Sequence, residues 1–377
     1  MLIYIINMSQ PNYIYYDLIQ TNLENSETDP PQCQFNERRN QEFIKNPEQY
    51  KFSITRFMID TPSLPLFRPI IRYLEPTDAL ISPDITVYSV SLKLNTADAS
   101  AASQQYVYWE TQDETKIAPT APYYNPNGLQ DNSTGYYNCY SYSWFLRLIN
   151  VALENAALDL SLSSAPTLLF DCASNLFVLS APAALYDSAS DTYYEIYMNK
   201  ALYQLFSSLP SVIVSHTSSY GLNYKITTNN FKGYSKTSIT TDNTTDTDSL
   251  MVYGEFPTIY LWNCVTSIVF TSSNLPIVPA NTSNPALTRE GEPIVFNNQP
   301  NTRRIVTDLV AGDSYKPYLV YSPSAQYRYI DLTQGSPLRD IDIQVYFLDR
   351  QGQLNPFKLN SGGTATIKIL FEKIVKS

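Results

Sequence analysis

Asp340 and Asp342 are the carboxylates whose spacing could support chemistry. Two residues apart in "RDIDIQVYF", they share one face of a strand, about 7 Å apart by strand rise. A pair near that separation could serve a glycosidase or bind Ca²⁺. The same face carries Gln344 and Tyr346. The expectation is therefore a solvated strand face with two surface carboxylates.

The other reactive residue types are sparse. His216, in "SVIVSHTSS", is the single histidine. One imidazole cannot build a His-based metal cluster, and no G-x-S-x-G supplies it with a nucleophile. Asp242, Asp246 and Asp248 lie in "TTDNTTDTDS" without the Gly and closing Glu of an EF-hand loop. Cys33, Cys139, Cys172 and Cys264 are far apart and form no C-x-x-C. They are expected to be four buried thiols, without zinc. Tyr136, Tyr137, Tyr140, Tyr193 and Tyr194 could stack on sugars, but packing or an interface is the expected use. N-x-[ST] triplets at Asn7, Asn132, Asn243 and Asn281 are what a Ser- and Thr-rich chain contains by chance. No P-loop or G-x-G-x-x-G occurs. Catalytic, cofactor-binding and metal-ligating residues are all expected to be none, and the protein is expected not to be an enzyme.

The elements that hold these residues are mostly strands. Ile341, Ile343, Val345 and Phe347 alternate with Asp340, Asp342, Gln344 and Tyr346, and Ala365, Ile367, Ile369 and Phe371 alternate with Thr364, Thr366, Lys368 and Glu372. Period-2 patterning of this kind marks half-buried strands that need a second layer. Strands are also expected at 49–60, 84–94, 105–110, 258–272, 302–311 and 325–333. Phase slips near Thr55–Arg56 and Ser89 predict bulges. Phe145, Leu148, Ile149, Ala152, Leu153 and Ala156 follow helical spacing. Met198, Ala201, Leu202, Leu205 and Phe206 predict a second helix stopped by Pro210, and 167–182 predicts a hairpin turning near Ala173–Asn175.

These elements give a mainly β chain: a single eight-stranded jelly-roll sandwich with a mixed α/β insertion. The expected domains are an extended N-terminal arm at 1–48, a jelly roll at 49–111 and 256–377, and an insertion at 112–255. In a jelly roll the first strand, here 49–60, lies beside the last.

Composition narrows the function. Of 377 residues, 44% are hydrophobic and only 16% charged, with 31 Tyr and 25 Pro. A polar but weakly charged surface suits a protein packed against neighbours. The net charge of −10 lacks the electrostatic footprint of a nucleic-acid binder. The arm is itself acidic, so it is not expected to bind a genome. No run approaches the ~20 apolar residues of a membrane span. "MLIYIINMSQ" lacks a basic leader, which suggests a non-secreted chain, with Met8 as an alternative start to Met1.

Four segments resemble a known family. They are "NPEQYKFSITRFMIDTPSLPLFRP" (46–69), "LWNCVTSIVFTSSNLPIVPA" (261–280), "RRIVTDLVAG" (303–312) and "SPLRDIDIQVYFLDRQGQLNPFKLNSGGTATIKILF" (336–371). They are similar to strands of the minor capsid (penton) proteins of Sputnik-type virophages and of Polinton-like and adintovirus-type elements. The resemblance implies a structural virion protein, assembled in the host cell cytoplasm. Five copies would form each vertex of an icosahedral capsid, surrounded by a double-jelly-roll major capsid protein. It brings no catalytic residues. Two other classes remain open: a host-attachment module whose Tyr-rich insertion binds glycans, and a carbohydrate-active enzyme using Asp340 and Asp342.

Overall fold

The computed structural model describes residues 11–23, 30–72, 82–119, 130, 134–228, 236–237, 249–278, 280–281, 302–310, 318–322, 328–333, 335–350 and 352–374. The chain is mainly β and divides into two compact units, Met1–Leu64 with Cys264–Ser377, and Pro65–Asn263.

The eight longest strands of the first unit are β1 (Tyr13–Thr21), β2 (Gln34–Arg38), β3 (Tyr50–Asp60), β4 (Val265–Thr271), β5 (Ile305–Val310), β6 (Tyr318–Tyr321), β7 (Asp340–Asp349) and β8 (Thr364–Lys373). They form two antiparallel sheets, ordered β1-β8-β3-β6 and β5-β4-β7-β2. The sheets share one apolar core. Ile54, Phe57, Ile59, Ile367, Ile369 and Phe371 come from the first sheet, and Ile268, Phe270, Ile341, Ile343, Val345 and Phe347 from the second. Phe57 meets Phe270 edge-on from the opposite sheet, ring centres 4.6 Å apart. The period-2 pattern of β7 and β8 therefore has its physical cause in this core.

The expected bulge in β3 is present. Lys368 pairs with Arg56 and Ile369 with Ile54, so Thr55 is the extra residue. It lets Ile54 and Phe57, out of phase in sequence, both reach the core. The expected adjacency also holds, since β8 pairs along its length with β3.

Three expectations need correction. First, the arm at 1–48 is not merely extended. β1 pairs with β8 over nine positions, Tyr13 opposite Glu372 through Thr21 opposite Thr364, and β2 pairs with β7. β1 carries aromatic or aliphatic residues on both faces, which blurs the alternation. Second, the strands expected at 84–94 and 105–110 lie in the other unit. Ile85–Leu94 pairs with Ser103–Tyr108 and with Tyr194–Met198. The division therefore falls after Leu64 and before Cys264, not at 111 and 256. Third, 258–272 is not one strand. Ile259–Trp262 is a helical turn, and among the described residues of 325–333 only Ile330–Asp331 is strand.

The Pro65–Asn263 unit has a five-stranded sheet and a four-stranded sheet, with α1 (Tyr142–Asp159) burying the six residues expected from its spacing. Trp262 anchors its core, stacked on Phe177 at 4.8 Å and edge-on to Phe145 and Phe206. The hairpin forms as expected, with Asn175 at φ +57° in its turn. The second helix is shorter than its pattern: Tyr194–Met198 is a strand, and Asn199 caps Lys200–Leu205 by accepting from the Leu202 N–H.

Candidate functional site

The two carboxylates of β7 are brought to one strand face but into different environments. Asp340 keeps a half-exposed side chain 3.6 Å from Arg38 Nε. Asp342 is 6% exposed, which corrects the expectation of a solvated carboxylate. Its Oδ1 accepts from Ser272 Oγ at 2.7 Å and the Asn274 N–H at 2.9 Å. Its Oδ2 accepts from the Ser273 N–H at 2.8 Å and from Ser273 Oγ. A carboxylate saturated by four donors has no lone pair placed for a substrate. Asp342 fastens the turn after β4 to β7.

His216 is exposed in a bend. Asp242, Asp246 and Asp248 lie outside the described residues. Among the described residues, no group of three or more His, Cys, Asp or Glu is placed to hold a metal ion. Cys33, Cys139 and Cys264 are buried thiols, whereas Cys172 is exposed, because it sits in the hairpin turn. Burial pushes the Cys33 thiol up to about 12. Tyr136 and Tyr137 are buried, not exposed. Their hydroxyls donate to Asp84 Oδ1 and the Pro83 carbonyl, both at 2.8 Å.

One buried ionic cluster escaped the sequence reading. Glu195 accepts from Lys93 Nζ at 3.0 Å, Lys225 Nζ at 3.1 Å and Tyr197 Oη at 2.7 Å. Burial works against its charge, but the hydrogen bonds from Tyr197, Lys93 and Lys225 outweigh it and hold the carboxyl below the usual range. Tyr197 follows on the same strand, but Lys93 and Lys225 come from the strands on either side, so no local motif announces the cluster.

The outer face of the first sheet of the Met1–Leu64 and Cys264–Ser377 unit is the surface best equipped for contact. Tyr13, Tyr15 and Ile19 on β1 are exposed, as are Tyr318 and Val320 on β6. These are the two edge strands of that sheet. Between them, Asp17 pairs with Arg56 at 2.8 Å and Lys368 at 3.4 Å, and Lys368 lies over the Tyr15 ring. Exposed aromatics around a small set of charges resemble the composition of protein interfaces more than that of a solvated face.

Comparison with known proteins gives concordant results. The family model for the Sputnik minor capsid protein V18/19 matches residues 14–373. The uncharacterized protein V18 of Sputnik virophage is 33% identical over 155 residues, which is 40% of this chain and 86% of that protein. A chain in the cryo-EM structure of the Sputnik virophage superposes with TM-score 0.79 at 26% identity, covering 96% of this chain and 98% of the other. The mavirus penton protein shares the fold, with TM-score 0.63 at 14% identity, covering 97% and 100%.

Proposed function

Because the chain belongs to the Sputnik minor capsid protein V18/19 family, and is thus a structural component of the virion, we propose that it forms the capsid vertex as a homopentamer. The family match over residues 14–373 carries this reading. In the proposal, five copies plug each icosahedral vertex and contact a double-jelly-roll major capsid protein. Assembly takes place in the host cell cytoplasm, and the chain has no enzymatic role.

The Met1–Leu64 and Cys264–Ser377 unit is read as a single jelly roll. Its strand order supports this: one sheet runs first, eighth, third, sixth, and the other fifth, fourth, seventh, second. That interleaving is the double Greek key of the jelly roll. Residues 65–263 are then an insertion between the third and fourth strands. The exposed edges β1 and β6 are the proposed contacts with neighbouring subunits, since an uncovered apolar edge strand needs a partner. Among the described residues no helix is long and apolar enough to cross a membrane.

Native mass spectrometry of the purified chain, with and without the major capsid protein, tests the reading. Species of five times the chain mass, and vertex density in reconstituted shells, are expected. A chain that stays monomeric and never enters shells would overturn it.

A further inference from the structure

We propose that the cleft beside Glu195, in the Pro65–Asn263 unit, is a binding site for a neutral polyhydroxylated ligand, a short saccharide. The cleft encloses about 720 Å³, within the size range of small-ligand sites. It opens among the strands Tyr194–Met198, Tyr224–Ile226 and Ser211–Ile213.

Its polar groups are left wanting partners. The residues Ser188 and Ser208 line the cleft, and their Oγ atoms are buried without a hydrogen-bond partner among the described residues. Ser208 is 4% exposed. Its hydroxyl is given room by Gly254, where any Cβ would collide with it. A buried hydroxyl left unmatched is costly unless a ligand or water completes it. Lys225 reaches the cleft with Nζ bonded to Glu195, and an ammonium carries three donors, so N–H groups remain for a ligand oxygen.

Its apolar groups are flat. Tyr203 is pinned: it stacks on Tyr224 at 4.1 Å and 12°, and its hydroxyl donates to the Leu209 carbonyl at 3.0 Å. Tyr193 stands half-buried in the cleft wall, its backbone held to Asn95 on both sides. Rigid rings beside fixed donors and acceptors suit a molecule with C–H faces and hydroxyl edges. The charges argue for a neutral one. Among the described residues, Glu195 and Glu255 in the cleft wall balance Lys225 in the wall and Lys93 behind Glu195, so neither a phosphate nor a cationic ligand finds excess opposite charge from them.

The site is independent of the vertex reading, since the assay uses the free full-length chain. That chain, labelled, is applied to an array of neutral, sialylated and sulfated glycans, and bound sugars are titrated calorimetrically. Binding to neutral glycans is expected, weakened at least tenfold by Tyr193→Ala and several-fold by Ser208→Ala. Tyr108→Ala, an exposed ring elsewhere on the unit, should leave it unchanged. If circular dichroism shows Tyr193→Ala unfolded, Ser208→Ala decides alone. Retention of no glycan, retention of anionic glycans only, or wild-type affinity in a folded Tyr193→Ala or Ser208→Ala protein each overturns the proposal.

Discussion

Asp342 shows how much a single carboxylate can be committed to structure. Replacing it with Asn puts an NH₂ where an oxygen received N–H and O–H donors, leaving buried donors unmatched at a cost of about 1–3 kcal/mol. Asp340→Asn removes only a half-exposed pair with Arg38 and should cost under ~1 kcal/mol. Ile369, fully buried, should lose about 2–5 kcal/mol as Ala and more as Asp, which buries an unpartnered carboxyl. Thermal melts of these four variants rank the residues, and an Asp342→Asn protein as stable as wild type contradicts the assignment. Glu195 makes a second prediction. Its folded pKa lies below the ordinary 4.5, so the stability it contributes is fully present above that value. It disappears as pH falls through the folded pKa. Lys225→Gln removes one of the donors that lower it, and should reduce stability at pH 7 while flattening the acid limb of the stability profile. Chemical denaturation between pH 3 and pH 7 measures both effects.

At the scale of elements, β8 is the strand on which the first sheet depends. It is flanked on both sides, by β1 and β3, and its Ile367, Ile369 and Phe371 enter the core. β1 in turn depends on β8 for its sheet pairing, while Tyr16 packs edge-on against Phe43 and Phe371. Hydrogen exchange should therefore find amides of 13–21 that bond to β8 protected in the isolated chain. Rapid exchange throughout that segment means that β1 docks only on assembly. Deleting residues 1–22 uncovers the β8 edge, and should lower the melting temperature and promote association, as unpaired edges do. The bulge at Thr55 was legible because a phase slip inside an apolar pattern has few other causes. The pairing of β1 was not, because Ile14, Tyr16 and Leu18 alternate with Tyr13, Tyr15 and Ile19, and Asp17 is the one charge in the strand to report which side is wet.

For the whole molecule, two separate cores make a direct prediction. Trp262, Phe177 and Phe145 belong to one core, and Phe57, Phe270 and Phe371 to the other. Replacing 65–263 by a short Gly/Ser bridge should leave a cooperatively unfolding β protein, whereas the same excision at 112–255 should fail. The latter cut strands Ile85–Leu94 without its partner Tyr194–Met198. Circular dichroism and denaturant melts of both truncations distinguish the two boundaries. Alternation along β7 and β8 and the 3.6 spacing of α1 were fixed by local order in the chain. Local order decides which face of an element is apolar, and a strand or helix needs nothing more to be recognised. Partnership is different. Whether Ile85–Leu94 joins β3 or Tyr194–Met198, whether the arm closes the first sheet, and whether Asp342 meets water or Ser272 depend on contacts between residues distant in sequence. Side-chain periodicity carries no record of those contacts, so only the packed tertiary structure decided them.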